Sequence, residues 1–345
     1  MKHIALTFAA GTALLAAPVL AEELAVVGSW SNLPLYQDFE TPFWTEKLPE
    51  LTDDEFTAQL TSFDQMGVAG ADVYRMLGDG VFDVGATVAD YTVGDAPALE
   101  GLDVPLLAAT AADAQKMVEA ARPMVNDIMR ERFGAQVLGI APYPPQVVFC
   151  KGEVASLADL KGKKVRGSGR MTTKFLEALG AEGINIAFSE VPGSLERGVI
   201  DCAVTGAGSG YSAGWWEVSD HLMTLPLGGW DPVVIAMNGD RFDSLTPEQQ
   251  ETLTKAVAEG LEAPAWEALE GGLKNDIACL TGNGDCAAGE PASMTLVEPS
   301  DADTETARRI LTEEVLPDWA TRAGDEWVGR WNESVGQSVG ITIGE

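Results

Sequence analysis

The sequence predicts an α/β fold, and residues 156–202 carry most of that prediction. The segment 164–166 and the apolar run at 199–204 have the pattern of short strands, and the apolar residues between 172 and 179 recur at helical spacing and stop at Gly180. Strands separated by helices at this spacing are typical of a parallel sheet. A length of 345 residues is enough for two such domains. We therefore expect an α/β protein of two lobes.

The first 21 residues have the pattern of a cleaved signal peptide. Lys2 supplies a short basic start, an apolar run follows, and small residues end at Ala21. Gly11 and Pro18 interrupt the apolar run, which argues against a membrane anchor. We expect export to the periplasm, with Glu22 as the first residue of the mature chain.

The first half of the mature chain predicts a sheet with flanking helices. Strands are expected at 24–30, 81–86 and 135–140. The pattern at 111–133 predicts a strong amphipathic helix or a helix pair, interrupted near Pro123. The pattern at 53–63 fits either a helix or a strand.

The second half begins where Tyr143-Pro144-Pro145 predicts a rigid crossing between lobes. A fresh strand follows at 146–150, and the run at 233–237 predicts a strand that returns to the first lobe. We expect helices in the remaining segments: 215–222, one continuous long helix at 246–273, 303–316 and 319–331.

The composition is strongly acidic, with a net charge of −31 that becomes −32 once Lys2 is removed. Such a surface repels nucleic acid and anionic lipid, so we expect no nucleic-acid partner. A binding site for an anion would need a local positive charge on this acidic protein. The few arginines are therefore the first candidates for such a site.

The four cysteines lie in an oxidising compartment if the chain is exported. Cys279 and Cys286 bracket a turn-rich loop and are predicted to form a disulfide. Cys150 and Cys202 belong to apolar runs that could be neighbouring strands, and the sequence leaves open whether they are bonded or remain buried thiols. A zinc site is not expected, because the mature chain has one histidine and no paired CxxC motif.

Several motifs in order resemble one family. DLKGKKVR, ALGA, FSEV and LERGVIDC follow one another from residue 159, and FDQMGVAGADVYRMLGDGVFDVG precedes them at 63–85. Together they resemble the substrate-binding proteins of tripartite ATP-independent periplasmic (TRAP) transporters. The resemblance implies a hinged clamshell, a long helix shared by both lobes, and delivery of a solute to the small and large membrane subunits of a permease. It implies no cofactor.

The same resemblance suggests how the chain divides. Lobe I would comprise residues 22–144 and 231–270, and lobe II residues 145–230 and 271–345.

Arg166 is the strongest candidate for ligand binding. It ends a predicted strand, and its planar guanidinium suits a carboxylate through two parallel hydrogen bonds. In the family, the arginine of the GKKxR pattern holds the ligand carboxylate, and Arg166 matches that arginine. Many members carry a second arginine twenty positions earlier, where this chain has Gln146. We therefore favour a monocarboxylate over a dicarboxylate as the solute.

Other candidates for the binding site are one polar residue and a set of aromatic residues. Thr205 corresponds to a polar ligand contact in relatives. The aromatic candidates sit near predicted loop ends: Trp30, Tyr91, Phe188, Tyr211, Trp215 and Trp230. An apolar wall of this kind also favours a monocarboxylate.

Two alternatives to transport were weighed. A periplasmic ligand-sensing protein that reports to a receptor would have the same site chemistry. A secreted α/β hydrolase would need His221 as its base and a serine elbow of the GxSxG type, which the sequence lacks. We therefore expect no enzymatic activity.

Overall fold

The computed structural model describes residues 21–344. The predicted signal peptide lies, apart from Ala21, outside the described residues. The strands in the described part are β1 (Glu22–Gly28), β2 (Phe56–Ser62), β3 (Val84–Val88), β4 (Ala135–Ala141), β5 (Gln146–Cys150), β6 (Lys164–Arg166), β7 (Glu182–Ile184), β8 (Cys202–Gly206), β9 (His221–Met223), β10 (Val233–Asn238) and β11 (Thr295–Val297).

Helices occupy much of the rest. The α-helices are α1 (Leu48–Leu51), α2 (Val73–Gly78), α3 (Ala111–Phe133), α4 (Arg170–Leu179), α5 (Val191–Glu196), α6 (Ala207–Ser212), α7 (Gly239–Ser244), α8 (Pro247–Val257), α9 (Ala263–Ala268), α10 (Gly272–Thr281), α11 (Asp301–Ile310), α12 (Leu316–Ala323), α13 (Asp325–Trp331) and α14 (Gln337–Val339). Shorter 3-10 or wider π turns occupy Leu35–Glu40, Phe43–Lys47, Gly70–Asp72, Ala89–Thr92, Pro97–Leu102, Leu157–Leu160, Phe188–Glu190, Trp215–Glu217, Ala258–Glu262, Leu311–Val315 and Asn332–Gly336. Within residues 21–344, no helix combines the length and the apolar character needed to cross a membrane.

The first lobe is built on a five-stranded sheet of order β2-β1-β3-β10-β4. Strand β1 runs parallel to β2 and β3, whereas β10 runs antiparallel to β3 and β4. All five residues of β3 are buried, and so are most of those in β4 and β10. Such runs are typical of strands covered by helices on both faces, as in an α/β layer structure. The two-lobed α/β prediction is confirmed.

The second lobe is built on a six-stranded sheet of order β11-β9-β5-β8-β6-β7. Strand β6 runs parallel to both β7 and β8, as the alternating pattern predicted. Cys150 and Cys202 lie opposite each other on β5 and β8 and form a disulfide, which resolves the pairing that the sequence left open. The predicted disulfide between Cys279 and Cys286 is confirmed.

Two of the segments that cross between the lobes lie side by side and bond to each other. The first connects β4 to β5 and the second connects β9 to β10. The Tyr143 amide donates to the Trp230 carbonyl at 2.9 Å, and the Gln146 amide donates to the Gly229 carbonyl at 3.1 Å. This paired connection is the hinge of the clamshell, and its first crossing lies at the predicted Tyr-Pro-Pro segment.

Four local expectations change in the structure. The helices expected at 303–316 and 319–331 meet without a break in a helical run that ends at Ala323, and Gly324, with a φ of 87°, separates that run from α13. The ambiguous segment at 53–63 contains strand β2, because it pairs along its whole length with β1. The helix expected at 246–273 is not continuous: α9 ends at Ala268 and α10 begins at Gly272. Gly271 adopts a φ of 77°, a left-handed conformation that ends a helix and that glycine adopts readily. The helix expected at 215–222 is a single 3-10 turn followed by β9.

The C-terminal helices return to the first lobe. The Trp319 indole donates to the Pro97 carbonyl at 2.9 Å, and the Trp331 indole donates to the Gly101 carbonyl at 2.8 Å. Segment 301–315 instead packs against α4 of the second lobe. The division of the chain inferred from the resemblance placed all of 271–345 in lobe II and remains a prediction.

Candidate functional site

A small cavity of about 20 Å³ lies where the lobes meet the hinge. The first lobe, the hinge and the second lobe all contribute to its wall, and the small volume means that the lobes are closed on one another. The lining residues are Trp30, Leu33, Tyr91, Tyr143, Arg166, Ser168, Phe188, Thr205, Ser209 and Asp231.

Arg166 ends β6 at its carboxyl edge, where α/β sheets bind ligands. Its side chain is buried, and two of its nitrogens are held by backbone carbonyls. Nε donates to Ile186 at 3.1 Å and Nη1 donates to Val204 at 2.7 Å. These bonds fix the plane of the guanidinium and leave its Nη2 side and one Nη1 hydrogen for another acceptor. Of the cavity-lining residues, Arg166 is the cationic one.

Four aromatic rings form the apolar part of the wall, and Trp30 is their centre. Its ring centroid lies 5.5 Å from that of Tyr91, 5.8 Å from that of Tyr143 and 5.9 Å from that of Phe188. The contact between Trp30 and Phe188 joins the two lobes. Trp30 follows directly on β1, so the end of a buried strand delivers this ring to the cavity.

Three carboxyl groups form a cluster near Arg166, and two of the three are buried. Oxygens of Asp90, Asp103 and Asp231 lie within 4.8 Å of one another. Asp90 and Asp103 are 6% and 5% exposed, so water screens their charges little. Asp231 lines the cavity, and the amide nitrogen of the wholly buried Gln146 donates to it at 2.7 Å.

The cluster has unusual electrostatics. Burial first, and then the charges of the neighbouring carboxylates, raise the pKa of Asp90 well above its ordinary value, and the same causes raise the pKa of Asp231. The Arg166 guanidinium acts in the opposite direction on both. Burial raises the pKa of Asp103 to about 6, although the backbone amide of Asp231 donates to Asp103 at 2.8 Å and counters that rise.

The backbone at Asp231 has an uncommon conformation. Its φ is 40°, which places an ordinary residue in the left-handed region immediately before Pro232. Strained positions of this kind are found more often in binding sites than in plain connections.

Another buried carboxylate, separate from the aspartate cluster, lies behind Trp30. Oε2 of Glu40 accepts bonds from the Ser29 amide at 2.8 Å and the Ser29 hydroxyl at 3.0 Å. Oε1 of Glu40 has no hydrogen-bond partner in the part of the chain that the structure describes. Burial raises the pKa of Glu40 to about 7. This carboxyl group therefore fixes the end of β1 from which Trp30 projects.

The residues predicted from sequence fall into two groups. Five of them line the cavity together: Trp30, Tyr91, Arg166, Phe188 and Thr205. The other four lie outside its lining: Gln146, Tyr211, Trp215 and Trp230. Their roles in ligand binding stay predictions.

The second group has identifiable structural contacts. Gln146 stands behind Asp231, and Trp230 donates its indole hydrogen to the Ala108 carbonyl at 3.2 Å. Trp215 is fully buried and packs against Phe188 from outside the cavity, at 5.2 Å between ring centroids. Tyr211 donates its hydroxyl to the Glu290 carbonyl.

Sequence reasoning missed the acidic part of the site. In a chain with 53 acidic residues, no single aspartate stands out. The useful signal was adjacency, because Asp90 precedes Tyr91 and Asp231 follows Trp230, and both aromatic residues were already candidates. The remaining cavity residues, Leu33, Tyr143, Ser168 and Ser209, carry no local signal of this kind.

Comparisons with known proteins agree with this geometry. A family model described as DctP, bacterial extracellular solute-binding protein, family 7, matches residues 31–285. The 2,3-diketo-L-gulonate-binding periplasmic protein YiaO of Escherichia coli is 27% identical over 257 residues, which cover 73% of this chain and 77% of that protein.

Two solved structures share the fold. An extracytoplasmic solute receptor of Bordetella pertussis binding pyroglutamic acid superposes with a TM-score of 0.80 at 21% identity, covering 92% of this chain and 100% of that one. A TRAP periplasmic solute-binding protein of Rhodoferax ferrireducens with bound malonate superposes with a TM-score of 0.78 at 19% identity, covering 92% of this chain and 98% of that one. The family comprises extracytoplasmic solute receptors and not enzymes. The chain belongs to this family, the extracellular solute-binding proteins of TRAP transporters.

Proposed function

We propose that this protein binds a small organic acid with one carboxylate, pairs that carboxylate with Arg166, and delivers the acid to the small and large subunits of a TRAP permease. We further propose that it works in the periplasm after removal of residues 1–21. The observation that carries the proposal is the position of Arg166. It is the cationic residue of a cavity between two lobes, and its guanidinium is already oriented by two backbone carbonyls.

The preference for one carboxylate rests on this chain's own residues. Among the relatives, 2,3-diketo-L-gulonate and pyroglutamate carry one carboxylate, whereas malonate carries two. Here Gln146 takes the place of the second arginine found in many members, and Asp231 adds negative charge to the wall. A second ligand carboxylate would meet Asp231 instead of a cation, and this repulsion disfavours dicarboxylates.

Thermal unfolding against a panel of organic acids tests the proposal, with Arg166→Lys in parallel. A ligand at a hundred times its Kd adds about 2.7 kcal/mol of stability, which raises Tm by a few degrees. We choose lysine over alanine because alanine would leave the Ile186 and Val204 carbonyls buried and without their donor. Lysine keeps the charge but loses the planar fork, so we expect a roughly tenfold or greater loss of affinity.

Arg170→Lys is the matched control, because Arg170 lies four residues away on α4 with a half-exposed side chain. Its affinity for the acid should equal that of the parent. Equal binding by parent and Arg166→Lys would contradict the pairing with Arg166. A panel in which dicarboxylates bind more tightly than monocarboxylates would contradict the preference for one carboxylate.

A further inference from the structure

Carboxyl groups outnumber cations around the cavity. Asp90, Asp103 and Asp231 bring three of them into one cluster, and Arg166 is the cation that acts on Asp90 and Asp231. If the ligand carboxylate pairs with Arg166 as proposed above, the excess of acidic groups becomes larger. Burial and mutual repulsion raise the pKa of Asp90 and of Asp231, so a further positive group would favour their ionised forms and would stabilise the bound state.

The cluster also has more acceptors than donors. Asp103 is engaged, because one of its oxygens accepts the Asp231 amide. Within residues 21–344, by contrast, Oδ1 of Asp90 and Oε1 of Gln146 find no hydrogen-bond partner. Asp90 is 6% exposed and Gln146 is wholly buried, so water does not readily supply the missing donors. Both orphan atoms are acceptors of residues outside the cavity lining, so the region behind Asp231 is short of hydrogen-bond donors.

The aromatic wall favours a positive group as well. Tyr143 lines the cavity and is 4% exposed. The rings of Trp30, Tyr91 and Phe188 surround the same space, and aromatic faces attract cations. The walls and the acidic cluster therefore favour the same kind of ligand group.

We propose that Asp231, with Asp90 and Gln146 behind it, is a subsite for a positively charged N–H group, so that the solute is a small zwitterion. This inference rests on the proposed function, because the carboxylate of the same molecule pairs with Arg166. Asp231 supplies the direct contact from the cavity wall. Asp90 adds negative charge, and Gln146 holds the Asp231 carboxylate in position.

A metal ion is the competing occupant, since carboxylates are common metal ligands. The Gln146 amide argues against it. Its nitrogen donates to Oδ1 of Asp231 at 2.7 Å, so one of the oxygens that a metal ion would need already accepts a hydrogen bond. The Arg166 guanidinium would also repel a divalent ion more strongly than a ligand nitrogen with a single positive charge.

The test compares matched acids that differ in the charge and donors of one group. L-Proline carries a ring NH2+, pyroglutamate carries a neutral ring N–H, and tetrahydrofuran-2-carboxylate carries a ring oxygen. Two further pairs extend the set. One is alanine with lactate, and the other is a cyclic amidinium carboxylate such as ectoine with a neutral ring acid. Each is titrated by calorimetry into the mature protein at pH 7.5 with EDTA present. In each pair that binds, we expect the acid with the positively charged group to have a Kd at least tenfold lower than that of its neutral partner.

Asp231→Asn identifies the residue responsible. Asparagine keeps the shape, accepts the Gln146 bond and tolerates the left-handed backbone, but removes the charge. We expect the preference for the cationic acid to fall to within about threefold, while the neutral acid binds at least as well as before. Asp285→Asn, at an exposed position on the second disulfide loop, makes the same change in net charge and should preserve the preference.

The outcomes separate this inference from the proposed function. If neutral acids bind as tightly as cationic ones, the zwitterion subsite is wrong and the organic-acid function stands. If binding requires added Ca²⁺ or Na⁺ and is lost in EDTA, a metal ion takes the place that we assign to the ligand nitrogen, and the inference is overturned. If no acid of either kind binds, the proposed function fails with it.

Discussion

The buried carboxyl group of Glu40 should make the stability of the protein depend on pH in a way that one substitution removes. Its pKa is raised from 4.5 to about 7 by burial, although the Ser29 amide and hydroxyl donate to one of its oxygens. Between these two values the folded state binds more protons at this site than the unfolded state. The free energy of unfolding therefore falls as pH rises through that window, and the contribution is lost above pH 7.

The magnitude follows from the gap between the two values. At about 1.4 kcal/mol for each pH unit, the folded protein loses about 3 kcal/mol at this site between pH 4.5 and pH 8. Glu40→Gln keeps an acceptor for Ser29 and replaces the orphan Oε1 with an uncharged group. The variant should match the parent within about 0.5 kcal/mol at pH 4.5 and exceed it by about 3 kcal/mol at pH 8.

Urea unfolding at the two pH values measures both free energies, and thermal unfolding should give a Tm difference of roughly 5 °C at pH 8 for a chain of this length. Glu46→Gln, an exposed substitution in the neighbouring π turn, controls for the change in net charge and should alter the free energy little. The reasoning fails if Glu40→Gln differs from the parent by the same amount at pH 4.5 and pH 8.

Two further predictions concern the scaffold. Replacing both cysteines of a disulfide by alanine should lower the free energy of unfolding by about 4 kcal/mol for Cys150–Cys202 and by about 2.5 kcal/mol for Cys279–Cys286. The sequence separations are 52 and 7, and closing the longer loop removes more entropy from the unfolded chain. Urea unfolding of the two double variants measures the order, and a larger loss for the shorter loop would contradict it. Tyr74→Phe should cost about 1–2 kcal/mol, because this buried hydroxyl lies 2.7 Å from carbonyls of both β3 and β10. Unfolding of that variant is measured in the same way, and a loss below about 0.5 kcal/mol would show that the contact adds no stability.

Local pattern predicted the parts of the fold whose causes are local. The strand that ends in Arg166 could be recognised because the short segment 164–166 is followed by Gly167 and Gly169 and then by apolar residues at helical spacing. The break before Gly272 was missed because the sequence has a helical pattern on both sides of Glu270-Gly271-Gly272. The left-handed backbone angle at Gly271 shows that the helix ends there. Segment 53–63 became a strand because β1 was available to pair with it, and that partner lies about thirty residues away.

The residues of the candidate site also differ in whether local sequence could identify them. Trp30, Tyr91 and Phe188 could be nominated because they stand near predicted loop ends, as do three other aromatic candidates that lie outside the cavity lining. Asp231 could not, because its meaning comes from Asp90 and Asp103, which approach it from segments more than 120 residues earlier. Among so many surface carboxylates, the few that are buried together are identified by the tertiary fold.

The position of Asp231 within the hinge has a consequence for the order of events during capture. A residue close to a rotation axis moves little when a clamshell opens, so its contact with a solute can persist in the open and closed forms. An interaction of equal strength in both forms raises affinity without shifting the balance between them. Contacts that bridge the lobes, such as Trp30 with Phe188, exist only when the lobes meet. We therefore expect Asp231 to govern which solutes are retained, and the aromatic bridge to govern how completely the protein closes around them.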